Sequence, residues 1–253
     1  MVDNMKSNAS VMLTDRDFLI LESLYSNVVM SFPQISQRYF VGRSKPTVIN
    51  RLTRLESAGL IAKFKVPRLA LTGAQNVISV VYRISKSGIQ ALQKRYPGFE
   101  FRVEPIRIKP FSIDHDLLLV DVVQAMKPRF QDYKIINGEL FNGNQGNNGL
   151  KPDAIFTHPN GHDRIALELE LTAKSEKRYR ELILKYRLSK EFSKVIYVTS
   201  HNQIESKIKT ILGPSIASGR FEFVNLKCIL PVNQAQINNT TLHQPDEKME
   251  ANI

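Results

Sequence analysis

Asp153, Glu168 and Glu170 are the side chains whose types and spacing best suit chemistry, and Lys151 and Lys174 bound the stretch that holds them, KPDAIFTHPNGHDRIALELELTAK. Residues 151–158 and 164–172 are rich in strand formers, and the Asn160-Gly161 dipeptide between them is a strong signal for a two-residue hairpin loop. With the turn centred there, His158 faces Asp163, Phe156 faces Ile165, Ala154 faces Leu167 and Asp153 faces Glu168, while Lys151 falls opposite Glu170. Side chains alternate between faces along a strand. Glu170 therefore shares the face of Glu168, and Ile165, Leu167, Leu169 and Leu171 form the opposite, buried face.

Like charges directly opposite one another destabilise a sheet, so three clustered carboxylates call for a compensating cation. Hard oxygen ligands suit Mg²⁺ or Mn²⁺, and a divalent ion held there would activate water and neutralise a developing oxyanion in phosphodiester cleavage. The plainer alternative is a solvated acidic strand face with a lysine beside it.

The rest of the chain must position that hairpin and bring it a substrate. At 253 residues and 42% hydrophobic composition the chain can bury one large core or two ordinary ones. No apolar run approaches the roughly 18 residues of a membrane span, and the start MVDNMKSNAS lacks the apolar core of a secretory signal. A single cysteine, Cys228, excludes an internal disulfide framework and a thiolate zinc site, so a soluble protein of the reducing cytoplasm is expected. Charge is unevenly spread. Residues 1–110 carry 17 Lys and Arg against 7 Asp and Glu, and the remainder carries 18 against 17. Excess positive charge confined to one half points to a polyanion partner, and nucleic acid suits it better than a membrane because no basic amphipathic helix with an aromatic face accompanies it.

After a flexible start over residues 1–11, Thr14 caps an expected helix over residues 15–26, with Asp15 and Asp17 in its first turn and Phe18, Leu21, Leu24 and Tyr25 on one face. Phe32-Pro33 opens a second helix, and a third runs from Ser44 to Ala58 and is ended by Gly59. In the third, Val48, Leu52 and Leu55 face inward, whereas Lys45, Thr47, Asn50, Arg51 and Arg54 point outward, as side chains that read base edges and grip phosphates would. LIAKFKVPRLA and NVISVVYRIS then read as two strands around a loop at residues 71–75, followed by a closing helix over 85–96.

Three helices followed by a hairpin carrying Lys63, Lys65 and Arg68, with the phrase TVINRLTRLESAGLIAKF, resemble a winged helix-turn-helix over residues 12–97. The resemblance implies double-stranded DNA binding, with the third helix in the major groove and the hairpin on the backbone. A proline-containing extended linker at residues 98–110 marks the expected domain boundary.

Residues 111–231 read as helix, three strands, helix, strand, helix, strand, an α/β domain with a mixed central sheet. The elements are a helix from Ser112 to Met126, a strand over 133–141, a glycine-asparagine loop GNQGNNG, the hairpin, a basic helix over 175–190, a strand over 194–199, a helix over 202–212 and a strand over 221–226. In the basic helix Tyr179, Leu182, Ile183 and Tyr186 pack, while Lys177, Arg178, Arg180, Lys185 and Arg187 face out. Residues 232–253, rich in Asn, Gln, Thr and acids, read as a disordered tail.

This order, with Pro152-Asp153 on the second strand and Glu168-Leu169-Glu170 on the third, resembles the PD-(D/E)xK nuclease superfamily, the restriction-endonuclease-like fold. The resemblance implies that Asp153, Glu168 and Glu170 bind Mg or Mn. The family's lysine would stand at position 170, where this chain has glutamate; Lys174 or Lys151 would supply the ammonium instead. A winged helix followed by HDLLLVDV, KPDAIF, ELELTAKSEKRY and LKY is similar to the replication-relaxation family of plasmid and mobile-element proteins, whose MobC-like members work in relaxosomes. That likeness implies recognition of a transfer or replication origin and nicking or deformation of the DNA there, with other relaxosome proteins as partners; His115 matches a family position and reads either as an outer partner of the carboxylates or as a satisfied buried histidine. The second function class is a non-catalytic regulator or relaxosome accessory protein whose nuclease-like domain serves for homodimer formation or partner docking.

Overall fold

The structure, a computed structural model, describes residues 11–68, 77–141 and 149–230. The expected flexible start, except for Val11, lies outside the described residues, as do the loop at 71–75, most of the GNQGNNG loop and the tail after Leu230. Among the described residues no helix is long and apolar enough to cross a membrane.

The first half holds α1 (Asp15–Asn27), β1 (Met30–Ser31), α2 (Phe32–Tyr39), α3 (Lys45–Ser57), β2 (Ile61–Arg68), β3 (Val77–Ile84) and α4 (Lys86–Arg95). Thr14 and Asp17 close a reciprocal capping box on α1, and Ser31 with Gln34 does the same for α2. Ser44 precedes α3 but makes no side-chain cap; its hydroxyl pairs with that of Thr47 at 2.9 Å. Val48, Leu52 and Leu55 enter a core with Ile20, Leu21, Leu24, Ile35 and Ile61. The strands form an antiparallel sheet in the order β1-β3-β2, and β1 is too short to carry a period-two signal.

The second half holds α5 (Ile113–Met126), β4 (Lys134–Asn137), β5 (Ala154–Thr157), β6 (Arg164–Glu170), α6 (Glu176–Leu188), β7 (Lys194–Thr199), α7 (Asn202–Leu212), β8 (Phe221–Asn225) and the single turn α8 (Leu226–Ile229). Its five strands run in sequence order; β4, β5 and β6 pair antiparallel, and β6, β7 and β8 parallel. α5 packs Leu119, Val122 and Met126 against Ile165, Leu167 and Leu169 on one face. On the other, α6 and α7 cover Ile155, Ala166, Val195 and Tyr197 with Tyr179, Ile183, Tyr186, Ile204 and Ile208. The result is a three-layer α/β arrangement.

Three expectations need correction. The β5–β6 loop is four residues, 159–162, because a two-residue loop would need the N–H of Pro159 in its closing pair, and proline has none. Instead Gly161 donates to the His158 carbonyl at 2.8 Å with φ +74°, and His158 N–H closes on Asp163 at 2.9 Å. The longer loop is centred on the same point, so the expected register, Ala154 to Leu167 and Phe156 to Ile165, is the one observed. Second, both faces of β6 are buried rather than one. Third, residues 98–110 are not a bare bridge: Arg83 donates to the Ile106 carbonyl at 3.3 Å, and Ile108 joins Phe64, Val66, Val81, Ile113 and Leu117 in a small core.

α5 ties the two halves together. Gln34 donates to the Leu117 carbonyl at 2.7 Å and to Asp121 at 2.9 Å, Arg38 donates to the Val120 carbonyl at 2.9 Å, and Val120 itself lies in the first half's core.

Candidate functional site

β5 begins its ladder at Ala154, so beyond Leu167 the edge of β6 has no strand partner on that side among the described residues. Asp153 fills the gap. Its N–H donates to the Leu167 carbonyl at 2.9 Å, and its Oδ2 accepts the Leu169 N–H at 2.7 Å, which sets the carboxylate at the sheet edge beside Glu168. His115, on the first turns of α5, brings Nε2 to 3.5 Å from Asp153 Oδ2 and 3.2 Å from the Leu169 carbonyl oxygen, with Nδ1 3.5 Å from Asp116. Burial pulls the imidazole down, but the carboxylates of Asp116 and Asp153 outweigh it and push His115 up to about 10. Nε2 meets the Leu169 carbonyl, and the ring stands within ion-pair distance of both Asp153 and Asp116.

A close backbone approach also aims Asp153. Gly138 donates to the Asp153 carbonyl at 3.0 Å, and a Cβ on Gly138 would lie 1.6 Å from the Pro152 carbonyl oxygen. Gly138→Ala must push that segment aside; we expect a stability loss of about 3 kcal/mol, read by denaturant unfolding. A loss below about 0.5 kcal/mol would mean that the Pro152–Asp153 segment is not held by this contact.

Glu168 and Glu170 point to the α6 side, where the helix covers them to 5% and 1% exposure. The expected open acidic face is therefore closed, because α6 supplies donors. Tyr186 donates its hydroxyl to Glu168 Oε1, Tyr179 donates to Glu170 Oε2 at 3.3 Å, and Lys174 forms an ion pair with Glu170 Oε1. Burial, then the nearby Asp153 charge, push Glu168 up to about 8. Burial also raises Glu170, opposed by Lys174. The hydroxyls of Tyr197 and Thr199 are buried on this sheet without a hydrogen-bond partner among the described residues. Packing alone is what helical spacing assigns to Tyr179 and Tyr186. Their second role is written in the seven-residue separation that puts both hydroxyls over an E-x-E strand, a signal that becomes readable once α6 is known to cover β6.

Asp153, Glu168, Glu170, Lys174 and His115 thus come together. Lys151 does not: it is exposed outside the ladder, and its ammonium lies 3.9 Å from Glu139. Among the described residues no group of three or more His, Cys, Asp or Glu could hold a metal ion. Both oxygens of Glu170 are engaged, whereas Asp153 Oδ1 and Glu168 Oε2 have no hydrogen-bond partner among the described residues. Two hard carboxylate oxygens fit a Mg²⁺ or Mn²⁺ ion, which characteristically takes one or two carboxylates and fills its other positions with water and substrate phosphate. The side chains of Asp153 and Lys174 are about a quarter exposed, so the site is reached at the strand's end.

On α3, Lys45, Thr47, Asn50 and Arg54 are exposed, as are Lys63 and Lys65 on β2; Arg68 ends β2 opposite Val77, and its side chain lies outside the described part. Arg51 departs from this group. Its Nε donates to Asp17 at 2.8 Å, its second nitrogen bonds the same carboxylate, and it also reaches the Met12 carbonyl at 3.0 Å. It flanks the buried Val48–Leu52 stripe, next to a fully buried aspartate that needs a counter-charge. Arg51→Ala is expected to cost about 3 kcal/mol of stability, measured by urea unfolding; a loss under about 1 kcal/mol would return Arg51 to the surface group.

Asp17 adds a pH signature. Burial raises its carboxyl, but bonds from Arg51 and Thr14 outweigh that and hold it below the ordinary carboxylate value. A depressed group contributes stability above its unfolded value, and that contribution fades as pH falls through the folded one. Asp17→Asn should therefore flatten the fall of stability on acidification below about pH 4; acid profiles of identical slope would contradict this.

Comparison with known protein families finds no match, and comparison with curated proteins finds none.

Proposed function

We propose that this chain binds double-stranded DNA through a winged-helix first half and nicks it in a PD-(D/E)xK-like second half, using Mg²⁺ or Mn²⁺ held by Asp153 and Glu168. The observation that carries the reading is Asp153 bonded to the β6 edge at Leu167 and Leu169 and close enough to act on the charge of Glu168, with one oxygen of each acid lacking a hydrogen-bond partner among the described residues and Lys174 paired to Glu170 on the same strand. A divalent ion bound there supplies a Lewis acid for a phosphate oxygen and an activated water. The chain's own residues do the rest. His115 and the Leu169 N–H orient Asp153, Tyr186 orients Glu168, and Tyr179 with Glu170 fixes Lys174 at the open end, where its ammonium faces an incoming phosphate. Lys45, Asn50 and Arg54 on α3, with Lys63 and Lys65, grip the duplex, and the net positive charge of the first half draws it in. The target class we assign is a plasmid or mobile-element origin region, and relaxosome proteins are the proposed partners.

A second reading has one specific observation in its favour. Lys174 is spent on Glu170, so its ammonium is already neutralised. On that reading the second half is a non-catalytic docking or homodimerisation unit on a DNA-binding regulator.

Supercoiled plasmid carrying a candidate origin, incubated with the chain and Mn²⁺, separates the two. Conversion to open circles by wild type and not by the Asp153→Ala, Glu168→Ala double variant supports nicking. Equal conversion by both, or by neither, overturns it.

A further inference from the structure

The segment joining the halves carries side chains that neither the duplex-gripping helix nor the acid site uses. Over residues 106–109 exposure alternates: Ile106 and Ile108 are half-buried, while Arg107 and Lys109 turn outward, and Phe111 beyond them is exposed as well. The inward residues pin the segment against the back of the β2–β3 hairpin through the Arg83 bond and the Phe64, Val66 and Ile113 contacts. On the extended stretch Arg107 and Lys109 stand about 7 Å apart, and Phe111 follows in a turn. Phe111 is the extreme case: its ring is fully exposed, at 105% of the reference area, although burying a phenylalanine is worth roughly 2–3 kcal/mol.

Its place in the fold is as informative as its exposure. Phe111 lies in the short 3-10 turn Pro110–Ser112 that opens α5, four residues before His115, which touches Asp153. Ser112 anchors that turn, with its N–H on the Lys109 carbonyl at 3.1 Å and its hydroxyl on Asp116 at 3.0 Å. Lys109 is exposed and pairs with Glu139 at 3.0 Å, a surface contact that a phosphate can displace at little cost.

We propose that Arg107, Lys109 and Phe111 form a contact for single-stranded nucleic acid beside the acid site, the two cations on phosphates and the Phe111 ring stacked on an unpaired base. The proposal rests on the nucleic-acid reading above and extends it: DNA reaching the hairpin is locally unpaired there, and Phe111 holds one base out of the stack. Alternating cations and an exposed aromatic are the elements of sequence-tolerant single-strand binding, electrostatic for the backbone and π-stacking for the base. The charges of Arg107 and Lys109 disfavour a basic protein face as the occupant.

The chain has no tryptophan, so Phe111→Trp places one reporter at the site in the full-length protein. Titration with oligo-dT should quench its fluorescence saturably, whereas a blunt duplex of equal length and inorganic polyphosphate should leave it nearly unchanged. In a separate anisotropy assay on labelled oligo-dT, Phe111→Ala should weaken binding about tenfold and Phe111→Tyr should retain it. Because the ring is exposed, these variants fold as wild type does. Quenching by duplex or polyphosphate as strong as by oligo-dT, or unchanged affinity in Phe111→Ala, overturns the proposal. The two claims fail separately. Plasmid nicking with no Phe111 effect sinks this inference alone, and Phe111-dependent binding without nicking sinks the catalytic reading while this one stands.

Discussion

Glu168→Gln is expected to lower Mn²⁺-dependent nicking at least about a hundredfold while leaving duplex affinity within about twofold. The substitution keeps the side chain's shape and an oxygen for the Tyr186 hydroxyl, and removes only the charge. Folding should not suffer. Glu168 is 5% exposed and held near Asp153, so its ionised form is unfavourable without a cation beside it, and a neutral amide relieves that repulsion. We therefore expect an unchanged or higher Tm alongside lost cleavage, a pairing that separates a functional charge from a structural one. Initial rates of open-circle formation and a thermal melt on the same preparation measure both. Nicking reduced only a few fold, or a Tm lowered by several degrees, would assign Glu168 to the core rather than to the reaction.

The second large effect concerns the duplex. Lys45→Ala combined with Arg54→Ala removes two exposed cations from the polar face of α3 and should weaken duplex binding by roughly ten- to a hundredfold near 0.1 M salt. Each phosphate contact contributes about 0.9 to the slope of log affinity against log salt, so the slope should become shallower by about 2. Anisotropy titrations at four or five salt concentrations read both quantities. An unchanged slope would move the interface off α3. Arg51→Ala belongs to a different category although Arg51 neighbours these residues in sequence: its guanidinium is committed to Asp17, so its effect appears in unfolding.

Much of this arrangement was legible before any coordinates. Period-two and period-3.6 patterns located α3, β7 and α7 nearly to the residue, and the hairpin register followed from where its turn is centred. Pro159 lengthens the loop without moving that centre, so Ala154 still faces Leu167, while Asp153, next along, leaves the ladder and bonds Leu167 and Leu169 instead of standing opposite Glu168. What local pattern could not reveal was long-range. Arg51 looks like any outward-facing helical arginine until α1 places the buried Asp17 against it. Lys151 looks paired with Glu170 until Asp153 ends the ladder with its own side chain, two residues after Lys151. Glu168 and Glu170 alternate with leucines as a solvated face would, and nothing local says that α6 returns across them with two tyrosines. Pro105 and Pro110 mark the joining segment as a linker, yet its Ile108 packs between the halves.

The proposed nicking requires Asp153 and Glu168 to share one divalent ion, and calorimetric titration of the full chain with Mn²⁺ tests this apart from any DNA chemistry. We expect one Mn²⁺ per chain, displaced by Mg²⁺, and no binding by the Asp153→Ala, Glu168→Ala double variant with its fold intact by circular dichroism. No binding by wild type, or the same stoichiometry in the double variant, would contradict it.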